Sequence, residues 1–185
     1  MAKLTKATIY HELLDNGLVQ FGMFGADEAP CLIQVGLLPS YPSLLQTLAK
    51  GMSALIPPNT ERLLAVASAY APALALSLAS GVPMVYSLGT DGAGATDIIG
   101  AYDVGHPTGL IVDVWRGEDA ILPLIDKAER VGLRIQGVIC CFSIGQPDLK
   151  TSTVPVQTWI DVAEMVEVLI ADHVLSPAMR DILPR

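Results

Sequence analysis

The sequence predicts an α/β fold in which a mostly parallel central sheet is flanked by helices. The stretch from Gly109 to Cys141 shows an apolar strand, a short loop, a helix and a second apolar strand within about thirty residues. Such a βαβ unit has parallel strands joined by a right-handed crossover. Apolar runs of strand length also alternate with helical patterns along the remaining chain, which is typical of the same fold class.

The first half of the chain shows these helical and strand-like patterns in alternation. Ile9 and Leu13 share one face of a helix, and Gly17 stands where that helix would end. Pro42 suits the first turn of a second helix, and Gly81 suits the end of a third. In order, we expect a helix at 5–16, strands at 19–24 and 31–37, a helix at 42–55, a strand at 63–67, a helix at 72–80 and a strand at 82–87.

The second half continues the alternation around the βαβ unit. The first strand of that unit ends in an acid, Asp113, and Gly117 lies in the loop that follows. A run of Gly, Ala and Asp at 89–97 predicts a mobile loop. Thr158 is of a residue type that caps helices. In order, we expect a short strand pair within 98–104, a strand at 110–113, a helix at 119–131, strands at 135–141 and 154–156, and helices at 158–169 and 176–183.

Composition limits the classes of partner. The chain is 51% hydrophobic and only 16% charged, so we expect more buried surface than a monomer needs and predict a homodimer. Its formal net charge of −8 argues against nucleic acid and against anionic membrane surfaces, since both attract clustered Lys and Arg. The same charge is a poor background for a polyphosphate ligand.

The cysteines and the amino terminus predict a cytoplasmic protein. Cys31, Cys140 and Cys141 show no spacing typical of metal ligands, and an odd number does not suit a disulfide framework. Cys140 and Cys141 are adjacent in a strand pattern, so we expect one on each face of the sheet. The first residues, MAKLTKATIYHELL, lack a continuous apolar core of signal-peptide length.

One stretch has to be weighed as a membrane span, because no charged residue occurs between Arg62 and Asp91. Pro72, Gly81 and Pro83 interrupt this stretch. The pieces between them have the lengths of a strand, a helix and a strand. We therefore predict a buried part of the sheet and no membrane contact.

Four stretches follow one another along the chain: FGMFGADEAPCLIQ (21–34), LLAVASAYAPALALSLASGVPMVYS (63–87), IIGAYDVGHPTGLIVDV (98–114) and VDVWRGEDA (112–120). In this order they resemble successive segments of the type I phosphoribosyltransferases, most closely the orotate phosphoribosyltransferases. Residues 21–34, FGMFGADEAPCLIQ, resemble the amino-terminal substrate segment of that family. Residues 63–87 resemble its diphosphate-loop strand, the following helix and the next strand. Residues 98–114 resemble the hairpin before the family's signature, and residues 112–120, VDVWRGEDA, occupy the place of the signature itself.

This resemblance implies a fold and an activity. It implies a single phosphoribosyltransferase-like domain over residues 1–185, with a small amino-terminal hood at 1–40 and a core at 41–185. It also implies the transfer of a phosphoribosyl group from phosphoribosyl diphosphate to a pyrimidine base, with Mg²⁺ if the protein is active.

The signature departs from the family pattern, which reads approximately apolar-apolar-Asp-Asp-Val-x-Thr-Thr-Gly-Gly-Ser. In the family the acids contact ribose hydroxyls, and the Thr/Gly loop at a helix N-terminus holds the 5-phosphate. Here Val112 replaces the first acid and Asp113 retains the second. Two carboxylates stand where a phosphate should dock, and at about 4 Å each would repel an anion by about 1 kcal/mol in water-like surroundings. We expect these acids to serve the start of the helix instead. The loop positions are Arg116, Gly117, Glu118, Asp119 and Ala120.

Three other segments depart in the same direction. Phe24 and Asp27 stand where the family places a Lys and an Arg. The loop at 89–97 contains neither Lys nor His, although the corresponding loop of the family closes over the diphosphate with such residues. Tyr70 puts a bulky ring where the family keeps a Gly. Together the four departures remove or reverse the positive charge of the site.

The residues of the candidate pocket have both ligand-binding and structural interpretations. Asp113 suits a ribose-like diol, and it equally suits a cap or turn. Glu118 and Asp119 could join Asp113 around a divalent cation, or serve the helix start. The aromatic side chains and Arg116 suit contact with a flat ligand, packing in the core, or a subunit interface. The candidates are Phe21, Phe24, Tyr70, Asp113, Trp115, Arg116, Gly117, Glu118, Asp119 and Ala120.

Three functional hypotheses follow. The leading one is a phosphoribosyltransferase-fold protein that has lost diphosphate binding and transferase activity and acts as a ligand-binding, regulatory or partner subunit, with a nucleotide-like or orotate-like ligand. The second is an active orotate phosphoribosyltransferase with a divergent site and Mg²⁺. The third is an unrelated α/β enzyme that holds Mg²⁺ at Asp113, Glu118 and Asp119. We assign no catalytic residue, no resident cofactor and no metal ligand for the leading hypothesis.

Overall fold

The computed structural model describes residues 5–24, 29–89 and 97–182. Its helices are α1 (Lys6–Asp15), α2 (Pro42–Ser53), α3 (Tyr70–Ser80), α4 (Leu122–Arg130) and α5 (Val162–Ala171). Its strands are β1 (Val19–Phe24), β2 (Ala29–Ile33), β3 (Arg62–Ala65), β4 (Met84–Ser87), β5 (Ile98–Ile99), β6 (Pro107–Trp115), β7 (Arg134–Ser143) and β8 (Val156–Asp161).

The main sheet has six strands in the order β5-β4-β3-β6-β7-β8. Every neighbouring pair is parallel except β4 and β5, which are antiparallel. Strands β1 and β2 form a separate antiparallel pair. The predicted fold class, a mostly parallel sheet flanked by helices, is confirmed.

Apolar side chains cover both faces of the main sheet and form two core clusters. The first cluster includes Ile111 of β6 together with side chains of α1, α2, α3 and α5. The second includes Leu110 and Val112 of β6 together with side chains of α4. Because successive residues of a strand point to opposite faces, Cys140 lies in the second cluster and Cys141 in the first, as predicted.

Capping residues explain where several helices begin and end. The Thr5 hydroxyl accepts a hydrogen bond from the Thr8 backbone N–H at the start of α1. Gly17, with a φ of 67°, follows the end of that helix. Gly81, with a φ of 76°, ends α3 in the left-handed conformation that favours glycine.

Several predicted boundaries were wrong. The predicted strand at 31–37 ends at Ile33, and residues 35–40 form a 3₁₀ helix. The predicted helix at 158–169 begins at Val162, because residues 156–161 pair with β7 as an edge strand. The cap of that helix is Asp161, whose carboxylate accepts the Ala163 N–H, and not Thr158. The predicted strand pair within 98–104 is reduced to β5, and residues 90–96 of the predicted mobile loop lie outside the described residues.

The stretch without charged residues folds as the strand, helix and strand that the sequence predicts, namely β3, α3 and β4. Within the described ranges, we find no helix with the length and apolar character required to cross a bilayer.

A buried ion pair joins α4 to the chain that enters β5. The Lys127 ammonium contacts the Asp97 carboxylate, and their side chains are 14% and 12% exposed. Removing one partner of such a pair leaves an uncompensated buried charge. The contact therefore fixes the point at which the chain re-enters the sheet after residues 90–96.

Helix α2 makes a close contact with the edge strand β8 at Gly51. A Cβ atom at this position would lie 2.2–2.4 Å from ring atoms of Trp159. The absence of a side chain at Gly51 therefore allows the indole ring to pack directly against the helix backbone.

We predict that Gly51→Ala lowers the free energy of unfolding by about 1–2 kcal/mol, since so close an overpacking costs up to about 3 kcal/mol and the helix propensity of Ala returns about 1 kcal/mol. Urea denaturation measures the change. Gly36→Ala is the matched control, because a Cβ there meets nothing within 4 Å, and its effect should stay within about 0.5 kcal/mol. Equal effects of the two substitutions would contradict the close packing at Gly51.

Candidate functional site

The candidate site lies at the carboxyl ends of β3 and β6. These strands are parallel neighbours, with Ala65 opposite Ile111, so the residues that follow them reach the same edge of the sheet. Ser68 and Asp113 meet there in a surface cavity of about 330 Å³, which we call the Asp113 cavity. Ligands of open parallel sheets bind outside this edge. The cavity is lined by Ile33, Gln34, Val35, Gly36, Leu37, Ser68 and Asp113.

A second cavity of about 200 Å³ adjoins the first, because Ile33 lines both. We call it the Arg116 cavity. Its wall is mainly apolar, and Arg116 is the one charged residue that lines it. It is lined by Phe24, Cys31, Leu32, Ile33, Val114, Arg116 and Ile144. Phe24 and Arg116 were both predicted as site residues, and strand β1 and the end of β6 bring them together.

Asp113 is half-buried and lines the Asp113 cavity. Its side chain makes no hydrogen bond and no ion pair with the described part of the chain. Its negative charge acts on the cysteines of β7: burial raises the pKa of the Cys140 thiol to about 12, and the Asp113 carboxylate adds to this shift. Val112, at the position of the family's first acid, is only 2% exposed and belongs to the second core cluster.

The loop between β6 and α4 carries two acids, Glu118 and Asp119. Gly117 has a φ of 103°, and residues 118–120 form a short 3₁₀ helix. One Glu118 carboxylate oxygen accepts hydrogen bonds of 3.3 Å from both the backbone N–H and the hydroxyl of Thr151. These hydrogen bonds link the loop after β6 to the segment that connects β7 and β8.

The start of α4 differs from the sequence prediction. The helix begins at Leu122, not at Asp119, and its first turn contains no acid. Glu118 and Asp119 lie in the first turn of the 3₁₀ helix at 118–120 that directly precedes α4. Pro123 lies in the first turn of α4 and has no backbone N–H, so this helix end offers one donor fewer to an anion.

Three of the aromatic candidates lie outside both cavities. Trp115 is 6% exposed and packs in the second core cluster. Tyr70 is 43% exposed, and its ring meets that of Tyr86 edge to face, with 4.8 Å between the ring centroids. Phe21 packs against the first core cluster. Neither Trp115 nor Tyr70 fills the Asp113 cavity.

The acids do not form a metal site. Asp119 and Ala120 are exposed and line neither cavity. Within the described ranges, no group of three His, Cys, Asp or Glu side chains is arranged to hold a metal ion. The hypothesis of Mg²⁺ held by Asp113, Glu118 and Asp119 therefore finds no support in the geometry. Asp27, which carries part of the departure from the family pattern, lies outside the described residues.

Sequence reasoning missed several lining residues, among them Gln34, Ser68 and Cys31. Ser68 lies directly after β3, so its place at a strand end was a usable signal. Cys31 is 5% exposed, and burial raises its pKa to about 11 although the Arg116 guanidinium acts to lower it. Both residues line the Arg116 cavity.

Comparisons with known proteins agree on the fold. No protein family model matches the sequence, and no curated protein sequence matches it significantly. Among solved structures, UMP synthase of Leishmania donovani superposes with a TM-score of 0.82 at 17% identity, over 97% of this chain and 41% of that one. The chain thus spans about two fifths of that enzyme.

Two other structures are similar in length to this chain. Orotate phosphoribosyltransferase of Francisella tularensis has a TM-score of 0.67 at 20% identity and covers 93% of each chain. Orotate phosphoribosyltransferase of Aeropyrum pernix has a TM-score of 0.71 at 16% identity, over 87% of this chain and 98% of that one. The chain has the type I phosphoribosyltransferase fold.

We predict that Cys31 is the most reactive thiol of the folded protein but reacts slowly at neutral pH. Its pKa of about 11, against about 12 for Cys140, gives it about ten times more thiolate at a given pH, and the thiolate is the reactive form. Iodoacetamide labelling followed by mass spectrometry should show a Cys31 rate that rises about tenfold per pH unit between pH 8 and 10.

The Arg116→Gln variant tests the neighbouring cation. Loss of the guanidinium should move the Cys31 pH profile upward, because the charge that opposes the burial effect is removed. Lys150→Gln is the matched control, since Lys150 is exposed and lines neither cavity. A Cys31 rate that is already half-maximal below pH 9 would contradict the buried, weakly ionised thiol.

Proposed function

We propose that this protein is a ligand-binding or regulatory member of the phosphoribosyltransferase-fold proteins that does not bind phosphoribosyl diphosphate and has no transferase activity. The observation that carries the proposal is the loop after β6. In this loop the Glu118 carboxylate accepts a hydrogen bond from Thr151. The following helix begins only at Leu122 and has a proline, Pro123, in its first turn. A phosphate held there would need free backbone N–H groups at the helix N-terminus.

Electrostatics support the same conclusion. Arg116 is the single cation among the residues that line the two cavities, whereas Asp113, Glu118 and Asp119 lie on or directly after the same strand. Two charges about 4 Å apart interact by about 4 kcal/mol at the effective dielectric constant of a protein surface. A diphosphate with its several negative charges would therefore meet net repulsion at this edge of the sheet.

The chemistry of the two cavities favours an uncharged or singly charged ligand of nucleoside or orotate type. The Asp113 carboxylate accepts hydrogen bonds from ligand hydroxyl or amino groups, and the Ser68 hydroxyl adds a donor and an acceptor. In the Arg116 cavity, the Phe24 ring offers a stacking surface beside one positive charge. A ligand with a flat, singly anionic ring would suit the Arg116 cavity, and a hydroxylated sugar attached to that ring would suit the Asp113 cavity.

One observation favours an alternative function. Asp113 stands at the place of an acid in the family's signature, and its carboxylate is open to the cavity. This is what an active orotate phosphoribosyltransferase would need for the ribose hydroxyls. In that alternative, another chain would have to supply the lysine that the loop at 89–97 lacks, and Mg²⁺ would have to bind together with the diphosphate.

The cellular setting belongs to the same proposal. The three cysteines are free thiols, and all three are buried. Free thiols are stable in a reducing compartment, so we place the protein in the cytoplasm. We propose that it forms a homodimer there, in keeping with its apolar composition.

We predict no turnover of orotate with phosphoribosyl diphosphate and Mg²⁺, and no thermal shift with phosphoribosyl diphosphate at millimolar concentration. Orotate, its nucleotide and uridine complete the panel, and at least one should raise the melting temperature saturably, because a ligand of the native state stabilises it. A turnover above about 0.1 per second, which is below the usual range for enzymes, would establish the active alternative.

Two matched variants locate the ligand. Asp113→Asn should weaken binding of the stabilising ligand at least about tenfold, a change of about 1.4 kcal/mol, since it removes a charged acceptor from the cavity. Asp119→Asn removes the same charge from an exposed side chain outside both cavities and should leave binding unchanged. Equal effects of both variants would place the ligand elsewhere.

A further inference from the structure

Arg116 lies in a short stretch of chain that has a fixed point on each side. Before it, Trp115 packs in the second core cluster and pairs with Ser143 of β7. After it, the Glu118 carboxylate accepts two hydrogen bonds from Thr151, one from the backbone N–H and one from the hydroxyl. The backbone of Arg116 is therefore restrained by a core contact and by a polar contact.

Thr151 is itself held in place by its neighbours. Leu149, two residues earlier, is 3% exposed and belongs to the second core cluster. The Ser152 backbone N–H donates to the Leu149 carbonyl at 3.3 Å, and the Val154 N–H donates to the Ser152 hydroxyl at 3.2 Å. Because the chain is ordered on both sides of Thr151, a hydrogen bond to this residue can fix the loop after β6.

The Arg116 cavity lies between the two segments that this contact joins. Arg116 lines the cavity from the end of β6, and Ile144 lines it from the end of β7. The Arg116 side chain makes no hydrogen bond and no ion pair with the described part of the chain. No partner side chain within these residues therefore orients the guanidinium, and its place depends on how its backbone is held.

We propose that Glu118, through its contact with Thr151, is a positioning residue that holds Arg116 at the cavity for an anionic group of the ligand. A cation that is already in place loses less conformational freedom when the ligand binds, so binding is tighter. The inference rests on the proposed ligand site and deepens it, because it names what fixes the one cation of the two cavities.

Cys31 reports where Arg116 lies, because it lines the same cavity and the Arg116 charge opposes the effect of burial on the thiol pKa. Loss of the Glu118 carboxylate without any movement of Arg116 removes a negative charge, which lowers the Cys31 pKa or leaves it unchanged. Movement of Arg116 away from the cavity raises that pKa. The two effects have opposite signs, so the direction of the change distinguishes them.

Iodoacetamide labelling of Cys31 on the full chain without ligand tests the proposal. Glu118→Ala should lower the labelling rate at pH 9 at least about twofold, in the same direction as Arg116→Gln, because a higher pKa leaves less thiolate. Glu118→Gln keeps an oxygen that accepts hydrogen bonds from Thr151, so its rate should not fall below that of the wild type.

Asp119→Ala is the matched control, because Asp119 is the next residue of the same loop, is exposed, and has no hydrogen bond within the described ranges. It should not lower the rate. In the Arg116→Gln background, Glu118→Ala should cause no further loss, whereas a general loosening of the cavity would change the rate in both backgrounds. Cooperative thermal unfolding above the labelling temperature shows that each variant is folded.

Four results would each overturn the proposal: an Arg116→Gln rate equal to that of the wild type, no loss in Glu118→Ala, an equal loss in Glu118→Gln, or a further loss in the double variant. The labelling rates decide whether Glu118 positions Arg116. The thermal shift with orotate decides whether the positioned cation binds a ligand, so the two failures can be told apart.

Discussion

The parallel pairing of β6 with β3 and β7 is the constraint on which the site depends. Because β6 has a strand on each side and a core cluster on each face, its residues are apolar from Leu110 to Val112. Asp113 is the first position at which the strand meets an unfilled space. The same pairing brings the chain after β3 to that space, so Ser68 faces a carboxylate that is distant in sequence. The sheet thus determines which polar groups meet, and the loops determine what they can bind.

Most of the fold could be predicted from the sequence because its signals are local. Gly17 and Gly81 end their helices in conformations that suit glycine, and the alternation of Cys140 and Cys141 follows from strand geometry alone. The failures occur where tertiary pairing overrides a local pattern. Thr158 is a good cap in isolation, but residues 156–161 gain backbone hydrogen bonds and side-chain contacts by pairing with β7. Propensity cannot reveal that a neighbouring strand has a free edge.

The candidate site was less predictable, for a different reason. Its charged members, Asp113 and Arg116, follow from the position of the strand end. Whether a neighbour such as Trp115 points into the site or into the core depends on how far the strand continues beyond Asp113, and β6 continues to Trp115 itself. Residues such as Ser68 and Gln34 come from segments that the chain brings together only in three dimensions. Sequence order thus indicates which strand end carries the candidate site, whereas only the fold shows which residues line the two cavities.

The contact between Glu118 and Thr151 has a consequence for any substitution in the loop after β6. The carboxylate is a tether between two connections on the same edge of the sheet, so replacing it with the glycine of the family pattern would release the segment between β7 and β8 as well as remove a charge. Pro123 would still withhold an N–H from the helix end. A substitution at position 118 therefore alters two connections at once, and its effect on binding and its effect on loop order have to be measured separately.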